Sequence, residues 1–117
     1  MEFVMAFHPD ANGPLSDSDR QRAGTAVLEY VQHLEHDGIL RSGLRFDPDY
    51  VPVLMHVSNG VVSSTPASGS PYGPASALVV IEAETEEAAL EIAAACPIAA
   101  FGAVVLRPVL RRMEHAQ

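Results

Sequence analysis

Four side chains that can transfer or orient protons stand near the ends of predicted strands. His8 and Asp10 follow an apolar run at residues 2–7, His56 lies in a second apolar run, and Tyr72 lies in a long loop. An imidazole can act as a general base near neutral pH, and a nearby carboxylate can hold one of its tautomers. We therefore predict His8 as the general base and Asp10 as its orienting group. Proton donation to developing oxyanion charge is assigned to His56 or Tyr72.

The same residues also fit a purely structural interpretation. His8 would then be an ordinary strand-end residue and His56 a hairpin residue in water, because titratable groups in clefts mark active sites only statistically. His33 and His36 have no evident third convergent ligand, so we predict no metal site. No glycine-rich phosphate loop follows a strand, so we also predict no cofactor.

Two helices are predicted to support these groups. Apolar residues recur one helical turn apart through residues 23–34, and Ser18 with Gln21 forms a capping box at the start of this helix. Gly38 is its predicted end. A second, alanine-rich helix begins at Thr85 with acidic residues in its first turn and is halted by a proline.

Apolar, β-branched runs predict the strands. Asn59-Gly60 suits the type I′ turn of a hairpin, and His56 lies on the strand before that turn. The complete order is β-α-β-β-α-β with a hairpin extension on the second strand, which is the ferredoxin-like arrangement of the α+β class. In its strand order 4-1-3-2 the first two strands run parallel. His8 and His56 would then lie at one end of the sheet, roughly 10 Å apart.

The uncharged stretch SSTPASGSPYGPAS, residues 63–76, decides how the chain is divided. As a linker it would leave flanking pieces of about 62 and 41 residues, sizes at which an unaided core is marginal. We therefore predict a single domain, residues 1–117, with this stretch as a long loop inside one sheet. The loop enters the sheet at the end that carries His8, so Tyr72 is predicted to be a lid residue.

The first strand is apolar on both of its faces, and the other strands repeat this pattern. Phe3, Met5 and Phe7 point one way, whereas Val4 and Ala6 point the other way. Two helices can cover only one face, which leaves several hundred Å² of apolar surface bare in a monomer. We therefore predict a homodimer in which two sheets pack face to face and hold a small-molecule ligand between them.

Composition excludes several other partners. Fifteen acidic residues oppose seven arginines, the chain has no lysine, and the formal net charge is −8, so we predict no nucleic-acid partner. The apolar runs are too short and too interrupted to cross a bilayer, so no membrane association is predicted. A lone cysteine, Cys96, fits a reducing compartment, and we expect the protein in the cytoplasm.

A family resemblance is carried by VVIEAETEEAALEIAAACPIAAFGAVVLRPV at residues 79–109 and by LEHDGILRSG at residues 34–43. These segments resemble the YCII-related, DGPF-type proteins. The resemblance implies a dimeric α/β barrel, the architecture also used by cofactor-free isomerases and monooxygenases and by a dehydrochlorinase of the YCII group. Where those relatives have Asp-Gly-Pro-Phe, this chain has Ser-Thr-Pro-Ala at residues 64–67. The resemblance therefore carries no site residue over to this chain.

Two functions fit these features. The first is a cofactor-independent acid/base enzyme, of isomerase, lyase or cyclase type, that acts on a small apolar organic molecule in catabolism or secondary metabolism. The second is a non-catalytic homodimer that binds a small molecule or has a regulatory role after losing the family motif. His8 separates the two hypotheses, because its replacement should affect turnover in the first and only ligand affinity in the second.

Overall fold

The computed structural model describes residues 1–67 and 71–113 of the chain, and these form strands, helices and one separate hairpin. The elements in chain order are β1 (Glu2–His8), α1 (Asp17–His36), β2 (Leu40–Arg45), β3 (Val53–Ser58), β4 (Val61–Pro66), β5 (Ala77–Glu82), α2 (Glu86–Ala94), α3 (Pro97–Phe101) and β6 (Ala103–Pro108). In the described part of the chain, each helix is too short or too polar to cross a membrane.

The main sheet has four strands in the order β2-β5-β1-β6, and every neighbouring pair is antiparallel. When the β3–β4 hairpin is set aside, this is the order 4-1-3-2 of a ferredoxin-like fold. The predicted fold class is therefore confirmed. The arrangement places β1 in the interior of the sheet, between β5 and β6, so both edges of the strand that carries His8 are hydrogen bonded.

The second strand of the sheet is not the one that the sequence predicted. It is β2, whose sequence LRSGLR is polar and contains a glycine, and its register with β5 shifts between Leu40 and Ser42. An edge strand of this kind lacks the apolar alternation by which strands are recognised. The β3–β4 hairpin follows it as an insertion and pairs only with itself. The prediction that His56 lies on the main sheet, about 10 Å from His8, is therefore wrong.

Turns and helix ends follow the local sequence closely. Asn59 and Gly60 adopt φ angles of 52° and 75°, as a type I′ hairpin turn requires. Helix α2 starts at Thr85, as predicted, and the Thr85 side chain caps it by accepting a hydrogen bond from the Ala88 amide. The cap of α1 was predicted two residues late, because the Ser16 hydroxyl, rather than Ser18, accepts from the Asp19 amide.

The core lies between one face of the sheet and the helices. Every second residue of β1 and β5 is buried in this core, because successive side chains of a strand point to opposite faces of the sheet. The remaining core residues come from the two longer helices, from α3, and from the connections before and after α2, at Ala83 and Cys96. The largest fully buried side chains are Phe3, Met5, Phe7, Ile81 and Cys96.

The opposite face of the sheet is apolar as well. We call it the open face, and its central residues are Val4, Ala6, Leu78, Val80 and Val105. All five are partly exposed, in contrast to the buried residues that alternate with them on β1 and β5. The predicted two-sided apolar character of the strands is thus present in the fold.

Candidate functional site

His8 ends β1 on the open face. Its side chain points to the same side as Val4 and Ala6, opposite to the core residue Phe7, and it is partly buried. Its cross-strand neighbour on β6 is Ala103, which has a small side chain. The imidazole therefore lies where an apolar sheet surface meets the end of a strand.

The Gly73 carbonyl fixes the tautomer of His8. The His8 Nδ1 atom lies 3.0 Å from the Gly73 carbonyl oxygen, and because a carbonyl only accepts, Nδ1 must donate the hydrogen. In the neutral imidazole the lone pair then belongs to Nε2. Gly73 has φ of +74°, a conformation that glycine adopts without strain and that aims its carbonyl at the ring. The structure thus presents a base atom of defined position.

Tyr72 is the second predicted site residue that the structure places at His8. The centroids of the two rings are 5.8 Å apart and the ring planes are inclined by 53°. Because Tyr72 precedes Gly73, one short segment supplies both the hydrogen-bond acceptor for Nδ1 and an aromatic neighbour. The whole Tyr72 residue is 47% exposed. Residues 68–70 of the predicted lid lie outside the described residues.

Asp10 does not orient His8 as predicted. Its Oδ1 atom lies 3.1 Å from the Arg20 guanidinium, so Asp10 ties the segment after β1 to helix α1. The group at Nδ1 of His8 is the Gly73 carbonyl instead. A carboxylate two residues away in sequence suggested the pairing, but the chain turns directly after β1, where the Ala11 amide donates to the His8 carbonyl, and the Asp10 side chain pairs with Arg20 instead. Sequence reasoning had no signal for a backbone carbonyl 65 residues away.

His56 lies apart from this group. It is an exposed residue of β3, opposite Ser63 of β4, on the hairpin that pairs only with itself. Within one chain, the structure brings together His8 and Tyr72 and leaves His56 outside the cluster. The described residues contain no group of three or more histidine, cysteine, aspartate or glutamate side chains placed to hold a metal ion.

Gly102 is a positioning residue that the sequence analysis missed. A Cβ atom there would lie 2.7 Å from the Pro9 carbonyl oxygen and closer still to the His8 carbonyl oxygen, below any normal contact distance. Only glycine lets the start of β6 approach the end of β1 so closely. A glycine just before a strand was the available signal, because such glycines often mark close backbone approach.

The charged groups of the open face lie at the other end of β1. Glu2 accepts from the Arg112 guanidinium at 2.8 and 3.1 Å, a bidentate pair. This hydrogen-bonded arginine holds the pKa of Glu2 below its usual range. Glu82 contacts the N-terminal ammonium group at the same end. The part of the open face next to His8 is therefore apolar.

On the core side, Tyr30 and Cys96 are both held neutral. Burial, and to a lesser extent the neighbouring Cys96, raise the pKa of Tyr30 far above its ordinary value, and the Tyr30 hydroxyl donates to the Ile92 carbonyl. Burial likewise raises the pKa of the Cys96 thiol. Neither group faces the open face, so both are structural.

Comparisons with known proteins bear on the fold. No protein-family model matches the sequence, and no curated protein is significantly similar to it. The chain is similar in structure to 5-chloro-2-hydroxyhydroquinone dehydrochlorinase from Burkholderia phenoliruptrix AC1100, solved as a complex with 2,5-dihydroxybenzoquinone. The TM-score is 0.53 at 17% identity, and the alignment covers 99% of this chain and 96% of that chain. At this identity the likeness concerns the fold alone.

Proposed function

We propose that this protein is a homodimeric, cofactor-independent acid/base enzyme that acts on a small, largely apolar organic molecule held against the open face. The observation that carries the proposal is the His8–Gly73 hydrogen bond, which leaves Nε2 as the basic atom of a neutral imidazole at the border of an apolar surface. A positioned imidazole of this kind typically contributes a factor of about 10² to 10⁴ to proton transfer.

The chemistry begins with proton abstraction. Nε2 of His8 takes a proton from an acidic C–H or O–H group of the substrate, and the negative charge moves to a substrate oxygen. The Tyr72 hydroxyl then donates to that oxygen, since its ring lies beside the imidazole. Return of the proton to another atom gives an isomerisation, and expulsion of a leaving group gives an elimination.

The substrate class follows from the surface around His8. Val4, Ala6, Leu78 and Val105 offer apolar contacts, and an aromatic ring borders the His8 end. The charged Arg107 lies opposite Val4, toward the far end of β1. A flat ring with a few oxygen substituents fits such a surface better than a charged metabolite does. The chlorinated hydroxyhydroquinone named for the structurally similar dehydrochlorinase belongs to this chemical class. A second copy of the chain would cover the surface and exclude water.

A binding protein without catalysis is the second candidate. It is favoured by the segment Ser-Thr-Pro-Ala at residues 64–67, where the DGPF-type relatives have an acidic and an aromatic residue. In that case the same surface and the same histidine would bind the ligand, and no proton would move. The two candidates therefore predict the same binding site and differ only in whether the bound molecule exchanges protons with solvent.

Proton exchange in D₂O tests the proposal. The protein is incubated with 2,5-dihydroxybenzoquinone and related hydroxylated rings, and loss of the ring C–H signals is followed by NMR. We expect exchange to be faster with the wild-type protein than in buffer, and to be reduced at least 100-fold by His8→Gln. His33→Gln, which alters an exposed histidine of α1, is the matched control and should leave the exchange rate unchanged.

Binding measured in the same samples separates the two candidates. Saturable binding that His8→Gln weakens, with no exchange in any variant or ring compound, supports the binding protein and overturns the enzyme. Equal exchange rates in the wild-type and His8→Gln proteins would remove His8 from the reaction.

A further inference from the structure

Within the described residues, the β3–β4 hairpin forms a separate sheet and packs little against the rest of its own subunit. All six residues of β3 and all six of β4 are exposed, and no strand of the main sheet pairs with them. The radius of gyration is 16.1 Å, whereas a compact chain of this length has a value of about 13 Å. The hairpin therefore projects from the rest of the molecule.

One side of the hairpin is much more apolar than the other. Alternate residues of each strand point to the same side of the hairpin, together with their cross-strand partners. The first side carries Val53, Met55, Val57, Val62 and Pro66, with one serine. We call this set the apolar side of the hairpin. The second side carries His56, three hydroxyl residues and two apolar ones. A strand pair built to lie in water would be polar on both sides, so the apolar side is built to be covered.

The absence of charge indicates what covers it. No aspartate, glutamate or arginine occurs in residues 50–81, which include the hairpin and most of β5, although the chain carries a net charge of −8. A contact surface free of carboxylates adds least to the repulsion between two copies of so acidic a chain. The centre of the open face meets the same condition. The uncharged hairpin and the uncharged centre of the open face thus suit a second copy of this chain.

Position and length allow the contact. The hairpin follows β2, which ends at the same end of the sheet as His8. Arg45, the last residue of β2, pairs with Ala77, and Ala77 pairs with Phe7. Six residues of strand extend about 20 Å, and a four-stranded sheet is about 15 Å across. The hairpin can therefore reach across the sheet of a neighbouring copy from the end at which His8 lies.

We propose that each hairpin is an arm that leaves its own subunit and lays its apolar side on the open face of a second copy. The inference extends the homodimer of the proposed function, because the ligand chamber of one chain is then closed by the arm of the other. His56, on the second side of the hairpin, faces away from that chamber. It is thereby removed from the proton-transfer groups, which leaves His8 and Tyr72.

Photocrosslinking tests the arm directly. A benzophenone amino acid replaces Val57, on the apolar side, or His56, on the second side. The variants are formed as mixed dimers of isotopically light and heavy chains and irradiated, and the linked peptides are identified by mass spectrometry. We expect the probe at position 57 to join light to heavy chains and to attach within β1, β5 or β6 of the other copy. The probe at position 56 should give at least tenfold less of this product.

A charge on the arm gives a second measurement. Val57→Glu should raise the dimer dissociation constant at least 100-fold by sedimentation equilibrium, whereas His56→Glu should change it less than threefold. Links within one chain only, links between the two hairpins only, or equal yields from both positions would overturn the arm. If the crosslinks form but no proton exchange is seen, the enzyme hypothesis is wrong and the arm hypothesis is unaffected. The two proposals can therefore fail separately.

Discussion

Replacement of Gly102 by alanine should destabilise the fold through one backbone contact. A Cβ atom at this position would lie 2.7 Å from the Pro9 oxygen and 2.9 Å from the Pro9 carbonyl carbon, and nearer still to the His8 carbonyl oxygen. Contacts below 3.0 Å essentially do not occur for real Cβ atoms, and backbone atoms cannot rotate aside. The end of β1 and the start of β6 must therefore separate. Forced overpacking of this kind costs about 3 kcal/mol, the upper end of its usual range.

Gly24→Ala is the matched control, because Gly24 lies in the exposed interior of α1 and an added Cβ meets nothing within 4 Å. This substitution should stabilise the protein by roughly 0.5–1 kcal/mol, since alanine is the better helix former. Both variants replace glycine by alanine, but their effects on the free energy of unfolding should have opposite signs.

Urea unfolding followed by circular dichroism measures both variants, at one protein concentration because dimer stability depends on concentration. With a slope of about 1.5 kcal/mol/M, Gly102→Ala should lower the midpoint by about 2 M and Gly24→Ala should raise it by about 0.5 M. A midpoint for Gly102→Ala within about 0.3 M of the wild-type value would refute the close approach of β6 to the His8 backbone.

Two further predictions concern protonation. Because the pKa of Tyr30 is raised in the folded state, its contribution to stability is complete below the ordinary tyrosine pKa of about 10, declines as pH rises above it, and is lost above the folded-state pKa. An ultraviolet titration of the folded protein should therefore show a tyrosine step well above the ordinary tyrosine pKa, and Tyr30→Phe should abolish that step. Tyr30→Phe also removes the bond to the Ile92 carbonyl, so it should cost about 1 kcal/mol by urea unfolding. A high-pH step that persists in Tyr30→Phe would contradict this. Asp10→Asn should leave the proton-exchange rate within about threefold of the wild-type rate, because the Gly73 carbonyl holds Nδ1 of His8. A loss of about 100-fold or more, as expected of His8→Gln, would instead identify Asp10 as the orienting group.

The sequence was sufficient for the elements that depend on local chemistry. Local sequence alone determines the hairpin turn at Asn59-Gly60, the start of α2 at Thr85 and the end of α1 near Gly38. These features could therefore be predicted. The two apolar faces of β1 could also be predicted, since strand parity needs no tertiary information. The strand β2 could not, because an edge strand needs only backbone pairing and tolerates arginine, serine and glycine.

Prediction of the candidate site was limited by contacts that have no side-chain signature. The group that orients His8 is a backbone carbonyl. The close approach of β6 to the end of β1 is possible only because Gly102 has no Cβ atom. Neither can be recognised from residue type at a stated spacing. His8 and Tyr72 were found because they are chemically competent. His56 was chosen on the same ground, and its assumed position failed once β2 took its place in the sheet.

The charge pattern of the chain leads to a last prediction, on salt. All the charged side chains lie outside residues 50–81, so association of two copies brings together two bodies of net charge −8 through uncharged surfaces. Repulsion between the bodies is screened over about 10 Å at 0.1 M salt and over about 3 Å at 1 M. Raising NaCl from 0.05 to 0.5 M should therefore tighten the dimer several-fold in sedimentation equilibrium. A dimer that weakens with salt would require ion pairs across the interface, and the uncharged arm could not then be its main contact.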